Sequence, residues 1–218
     1  MTYLWDAEYV TAGLTGQWRP ATFPLEVVTT PSDSAGVDAF SRVRVSNPVT
    51  VFDSTFQYGL APLLYEGLST NGGTVTHDST NSCAVLACSA GGAGSATLQS
   101  YRYIRYQPGK SALIFLTFTL GAAAANVTRQ IGLWDDLNGF YLEQAGTTVN
   151  LVRKSSSSVG TLTVPQSSWN LNKMDGTGKG GHVLDLSKSQ ILIIDAQWLG
   201  VGRVRIGFDL DGVIYYVH

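Results

Sequence analysis

Apolar and polar residues along this chain follow the spacing of strands. Segments rich in β-branched and aromatic residues cover 42–52, 111–120, 128–134, 140–144, 148–153, 160–164, 190–198, 201–208 and 213–217, and several of them alternate between the two classes. No window of a dozen residues carries apolar positions at i, i+3, i+4 and i+7 bounded by a cap, so helices are not expected. Asn138-Gly139 and Asp211-Gly212 are dipeptides that accept the positive φ of tight hairpin turns. They predict that 131–134 pairs with 140–143 and that 204–208 pairs with 213–217. Short strands with Gly-rich punctuation predict an all-β fold, an antiparallel β-sandwich with jelly-roll-like character.

The first 36 residues break this pattern. They hold Pro20, Pro24 and Pro31 and few periodic apolar positions, which predicts an extended N-terminal arm over 1–36 ahead of a β-sandwich domain over 37–218. Trp5, Trp18 and Phe23 are its large apolar anchors. They either cap the sandwich of the same chain or dock on a partner.

Composition narrows the function. At 218 residues and 44% apolar the chain has enough material for one full core. Only 14% of residues are charged, below the roughly 25% of an ordinary soluble domain, which suits a chain with much covered surface. A net charge of −2 gives no electrostatic reason to expect nucleic acid or an anionic membrane as a partner. The longest apolar run, around 112–118, is too short to cross a bilayer, and the first ten residues lack the basic and apolar regions of an export signal. Cys83 and Cys88 read as structural thiols, with a local bridge as the alternative.

No motif for catalysis emerges. His77, His182 and His218 lie apart, without metal-ligand spacing, and no cofactor is expected. Asp135, Asp136, Asn138, Asp209 and Asp211 offer oxygens to calcium at alternate positions, but acids and amides before Gly also serve hairpin turns. The stretch DGTGKGG (175–181) lacks phosphate-loop spacing and reads as a flexible connection. Glu143, Asp185, Asp195 and Asp209 are the acids from which a glycosidase pair could be drawn. Tyr103, Tyr106 and Trp169 are the candidates for contact with a glycan, since such rings stack on sugar faces; packed strand residues are the other reading.

Two long stretches, VDAFSRVRVSNPVTVFDSTFQYG (37–59) and the run from WNLNKMDGTGKGG to VIYYVH (169–218), have a recognisable character. With YRYIRYQPGKSALI and RQIGLWDDLNGFYLEQAGTTVNLVRKS between them, they resemble a family of largely uncharacterised virion-associated structural proteins of tailed bacteriophages and other large DNA viruses. DAFSRVRVS and QWLGVGRVRIGF carry the likeness most specifically, and residues 1–36 lie outside it. The resemblance implies a non-enzymatic component of a phage particle, capsid- or tail-associated, located in the virion after assembly in the host cytoplasm. The implied partners are other virion proteins and further copies of the chain, as a trimer or larger homo-oligomer. Arg42, Arg44, Arg203 and Arg205 are the candidates for orienting residues at strand faces, with a solvated sheet face as the alternative. A glycan-binding or glycan-cleaving tail fibre module acting on host surface glycan is the rival. Relatives continue past the strand corresponding to VIYYVH, so the chain is expected either to continue or to have its apolar last strand covered by another subunit.

Overall fold

A computed structural model describes strand residues 3–4 and 19–20 and residues 37–38, 43–44, 48–88, 93–105, 107, 110–197 and 202–218. The chain divides into two compact units, Met1–Ser34 and Ala35–His218. In the first, β1 (Tyr3–Leu4) pairs antiparallel with β2 (Arg19–Pro20).

The second unit is a β-sandwich of two four-stranded antiparallel sheets. One contains β8 (Thr128–Trp134), β9 (Gly139–Ala145), β10 (Thr148–Lys154) and β11 (Leu162–Pro165), in the order β11-β10-β9-β8. The other contains β7 (Ala112–Phe118), β12 (Gln190–Ala196), β13 (Val204–Leu210) and β14 (Val213–Tyr216), in the order β14-β13-β12-β7. Strands β8 to β11 and β12 to β14 each run as a meander. The sandwich is therefore established, while these eight strands do not display the alternation of consecutive strands between sheets that marks a jelly roll.

Period-2 patterning explains which faces meet. The pairings place Ile131, Leu142, Leu151 and Val164 in one row across the first sheet, and Ile114, Ile194 and Ile206 in one row across the second. Both rows belong to the core, joined by Leu192, Phe208, Trp169 and Met174. A fully buried Leu or Phe side chain contributes about 1.5–3 kcal/mol, so this cluster is the main source of cohesion. Gly132 and Gly207 let neighbouring strands approach: a Cβ on Gly132 would stand 2.3 Å from the Phe140 carbonyl oxygen, and one on Gly207 2.6 Å from that of Tyr215.

The DLDG hairpin forms as expected, with Leu210 opposite Val213 and positive φ at Asp211 and Gly212. The hairpin at Asn138-Gly139 has the expected pairing, Leu133 opposite Phe140. Residues 135–138 make the turn, closed by the Asp135 N–H donating to the Asn138 carbonyl at 2.8 Å. The segment expected as a strand at 42–52 yields only an isolated bridge between Val37 and Val43 among the described residues.

Ahead of the sandwich lie four strands, β3 (Tyr65–Thr70), β4 (Thr74–Asp78), β5 (Cys83–Ala87) and β6 (Ser95–Ser100). They form two separate ribbons, β3 with β6 and β4 with β5. Gly67 lies on the Val75 side chain, so the ribbons stack. Leu68, Val85 and Leu86 remain exposed, leaving a thin interior. Cys83 and Cys88 are free thiols here.

The last strand is not a bare edge. Val217 and His218 both donate backbone N–H groups to the Ile206 carbonyl, at 2.8 and 3.3 Å, while Ile206 donates back to the His218 carbonyl at 3.0 Å, the pattern of a β-bulge. Leu171 and Asn172 donate to the Val217 carbonyl, and the His182 ring lies 4.4 Å from that of Tyr215. Residues of the connection between β11 and β12 thus cover this edge.

That connection also corrects the reading of DGTGKGG as flexible. The Asn172 side chain donates to the Lys179 carbonyl at 2.9 Å and accepts from the Met174 N–H at 3.0 Å, and Asp175 pairs with Val183. Gly178 is needed for this closure, because a Cβ there would stand 2.0 Å from the Asn172 oxygen. A buried amide pins the loop.

A buried arginine–aspartate clamp as the candidate functional site

Strand β12 alternates Leu192 and Ile194 towards the core, which turns Ile193 and Asp195 to the opposite face of the sheet. Asp195 stands directly opposite Arg205 on β13. Both are fully enclosed, at 0% and 1% exposure. Arg205 donates from Nη2 to Asp195 Oδ2 at 2.5 Å and to the Val37 carbonyl at 2.6 Å, and its guanidinium carbon lies 4.2 Å from the centre of the Tyr216 ring. A second arginine completes the cluster. Arg44 brings Nη2 to 2.6 Å from Asp195 Oδ1, an ion pair off the line of a hydrogen bond, while its Nη1 donates to Ser111 Oγ at 2.8 Å.

One carboxylate therefore sits between two guanidinium groups in a desolvated layer. Taking such ions out of water costs several kcal/mol each, and close pairing returns it only while every partner is in place. The described residues of the 37–44 segment, Val37, Asp38, Val43 and Arg44, form a strap held to the outer face of the second sheet. Val37 contributes a backbone acceptor, Arg44 a charge, and Val37 and Asp38 are themselves buried.

Sequence reasoning singled out Arg44 and Arg205 but placed neither opposite Asp195, which it weighed only as a possible hydrolytic acid. The signal lay in ILIIDAQW, where a lone acid interrupts an apolar strand. A charge buried there requires a partner. Arg203 is different: it is exposed just before β13, and its carbonyl accepts from the Gln197 N–H at 3.1 Å. Arg42, Trp5, Trp18, Phe23 and Tyr106 lie outside the described residues.

Trp169 is corrected as a glycan contact. It is 3% exposed and stacks on Phe208 inside the core, so no sugar reaches its face. Its place directly after the 3-10 turn Gln166–Ser168, before the core residue Met174, makes it a plug between the sheets. Tyr103, in contrast, is 70% exposed. Asp135 Oδ1 accepts the N–H groups of Asn138 and Leu137, at 2.6 and 2.8 Å, and these bonds hold its carboxyl below the usual carboxylate range.

The remaining candidate acids are held in separate settings. Asp185 accepts from the hydroxyl and N–H of Ser187, Asp209 accepts from the Gly212 N–H at 2.8 Å, and Glu143 takes amide donors from Gln130 and Asn150. Among the described residues no group of three or more His, Cys, Asp or Glu side chains is placed to hold a metal ion. A shallow depression of about 300 Å³ beside Thr55, Tyr58, Gly59, Ala61 and Pro62 brings no acid, base or nucleophile pair together. Comparison with protein-family models, curated proteins and solved structures finds no match to this chain.

Proposed function

We propose that this chain is a non-enzymatic structural subunit of a virus particle, capsid- or tail-associated, assembling with other particle proteins and with further copies of itself. The observation that carries the reading is where the two most family-like stretches meet. DAFSRVRVS contains Asp38 and Arg44, QWLGVGRVRIGF contains Arg205, and the two come together on Asp195. The resemblance thus falls on a strap-and-clamp built for mechanical attachment rather than on a row of reactive groups. Low charge content and exposed apolar side chains such as Val49, Val51, Leu63 and Phe115 support a surface that is covered in an assembly.

The test is the solution mass of the full chain, by light scattering, beside that of the chain lacking residues 1–36. A discrete oligomer that falls apart without the segment supports an assembling subunit. A monomer in both cases removes the support for self-assembly and favours an independent binding module.

A further inference from the structure

Strand β7, ALIFLTF, is the outermost strand of the second sheet: it pairs with β12 on one side, and no described residue pairs with it on the other. Alternate residues of an edge strand direct both N–H and C=O away from the sheet, so main-chain donors and acceptors stand open along its seven residues. Such edges are ordinarily blunted by a charge, a proline, a bulge or a covering segment. The other edges of the sandwich are blunted in this way. β8 carries Arg129 on its inner face, β11 is four residues long and ends in Pro165, and β14 has the bulge at Val217 and His218 with Leu171 and Asn172 laid against it. β7 has no charge, no proline and no glycine. Both of its ends are fixed: Ser111 Oγ accepts from Arg44 at 2.8 Å, and the Leu120 and Gly121 N–H groups donate to the Leu186 carbonyl at 3.1 and 2.9 Å. The edge is therefore held in place before any partner arrives.

The sequence of this edge is complementary to itself. Antiparallel pairing about a two-fold axis through Phe115 sets Phe115 against its own copy, Ile114 against Leu116, Leu113 against Thr117 and Ala112 against Phe118. Each pair joins residues of the same face, and a slip of one position would set inner residues against outer ones. All seven residues overlap, which supplies about six to eight main-chain hydrogen bonds. No charges meet. On the outer face Phe115, 52% exposed beside the buried Ile193, is covered by the second Phe115. On the inner face Ile114 and Leu116, partly buried against the core, carry the apolar layer from one sandwich into the next.

We propose that β7 is a self-association edge, joining two copies of this chain across a two-fold axis into one continuous sheet of twice four strands. The inference rests on the reading of a self-assembling subunit and specifies its contact. Because the β14 edge is covered, the pairing closes at two copies rather than running on into a fibre, and any larger assembly is built from pairs.

The test measures the solution mass of the full chain and of its Phe115→Lys and Phe115→Glu variants by light scattering, each alone and the two variants mixed in equal amounts. The unaltered chain is expected as an oligomer of even copy number. Each variant sets two like charges opposite one another across the axis and should weaken the pairing at least about tenfold, while mixing them should restore it, since Lys then faces Glu. Val213→Lys, at a 53% exposed position on the far strand of the same sheet, should leave the mass unchanged. Thermal melting checks that each variant is folded; Phe115 is exposed enough for replacement to be tolerated. If both Phe115 variants keep the mass of the unaltered chain, the proposal is overturned and the subunit assembles through another surface. Variants that dissociate but do not recover on mixing also overturn it, because the contact then lacks the Phe115-on-Phe115 register. An unaltered chain that stays monomeric at about 100 μM overturns the edge and self-assembly together.

Discussion

A carboxylate enclosed between two guanidinium groups is tolerated only as a set. Asp195→Ala leaves Arg205, at 1% exposure, with a buried charge whose counter-ion is gone, and should cost about 3–5 kcal/mol in urea denaturation. Arg44→Met should cost less, because the Arg44 side chain is 22% exposed and water can take over part of its role at Asp195. The paired replacement Asp195→Leu with Arg205→Met should recover much of the loss of Asp195→Ala, since it removes both ions together; a double variant less stable than Asp195→Ala would argue against the desolvation account. Gly178 makes a different kind of demand. Its Cβ would overlap the Asn172 amide oxygen, so Gly178→Ala should destabilise the 172–184 loop by about 1–3 kcal/mol, read as a lower melting temperature.

At the scale of elements, legibility followed composition. Strands β7 to β14 were visible because Ile, Val, Leu and Phe recur with period 2, and the pairings β8–β9 and β13–β14 followed from Gly at the turns. Ribbons β3–β6 and β4–β5 were missed because YEGLST, TVTHD and SATLQS have few apolar positions among their polar ones, and CAVLA is a short apolar run without a period. The strand reading of Tyr103 was misplaced for the complementary reason: aromatic residues mimic a strand, while the chain has already left β6 at Ser100. The clamp was half legible, its arginines as charges near strands, its geometry hidden because Val37 and Arg205 are separated by 168 positions. A ribbon of two strands is marginal in water and these have a thin interior, so amides of β3 to β6 should exchange hydrogen well before those of β12 and β13. Equal protection in both regions would contradict this. The covered edge beside β14 has its own pH dependence. Burial lowers the His218 pKa below its ordinary 6.5, and the neutral ring accepts the Asn170 N–H on Nδ1 at 3.3 Å. Its contribution is therefore complete above the unfolded pKa and is lost as pH falls through the lowered folded value. Stability should decline on acidification below about pH 6.5, and His218→Gln should flatten that part of the profile in melts taken from pH 7 to pH 5.

Across the Ala35–His218 unit, cohesion and attachment are carried by different groups. The core cluster between the sheets draws on the eight sandwich strands and the 169–186 connection, with no member among the described residues of the 37–44 strap. The strap acts on the opposite face of the second sheet, through Arg44, Val37 and the enclosed Asp195. Two consequences follow if the strap serves attachment rather than folding. A chain beginning at residue 48 should still fold, with amides of β9, β10 and β12 protected, because none of the described residues between the sheets has been removed. It should also be less stable, since Arg205 loses its Val37 acceptor and Asp195 loses one of two cations. A loss of about 3–5 kcal/mol is expected by analogy with removing one partner of a buried pair. Introducing Asp195→Ala into the shortened chain should then cost less than in the full one, since water already reaches the carboxylate and its partners. Measuring both chains with and without the substitution gives the coupling between strap and clamp directly. If the substitution costs the same in both, the strap does not shield Asp195; if the shortened chain fails to fold, the strap belongs to the core and the separation of attachment from cohesion is wrong.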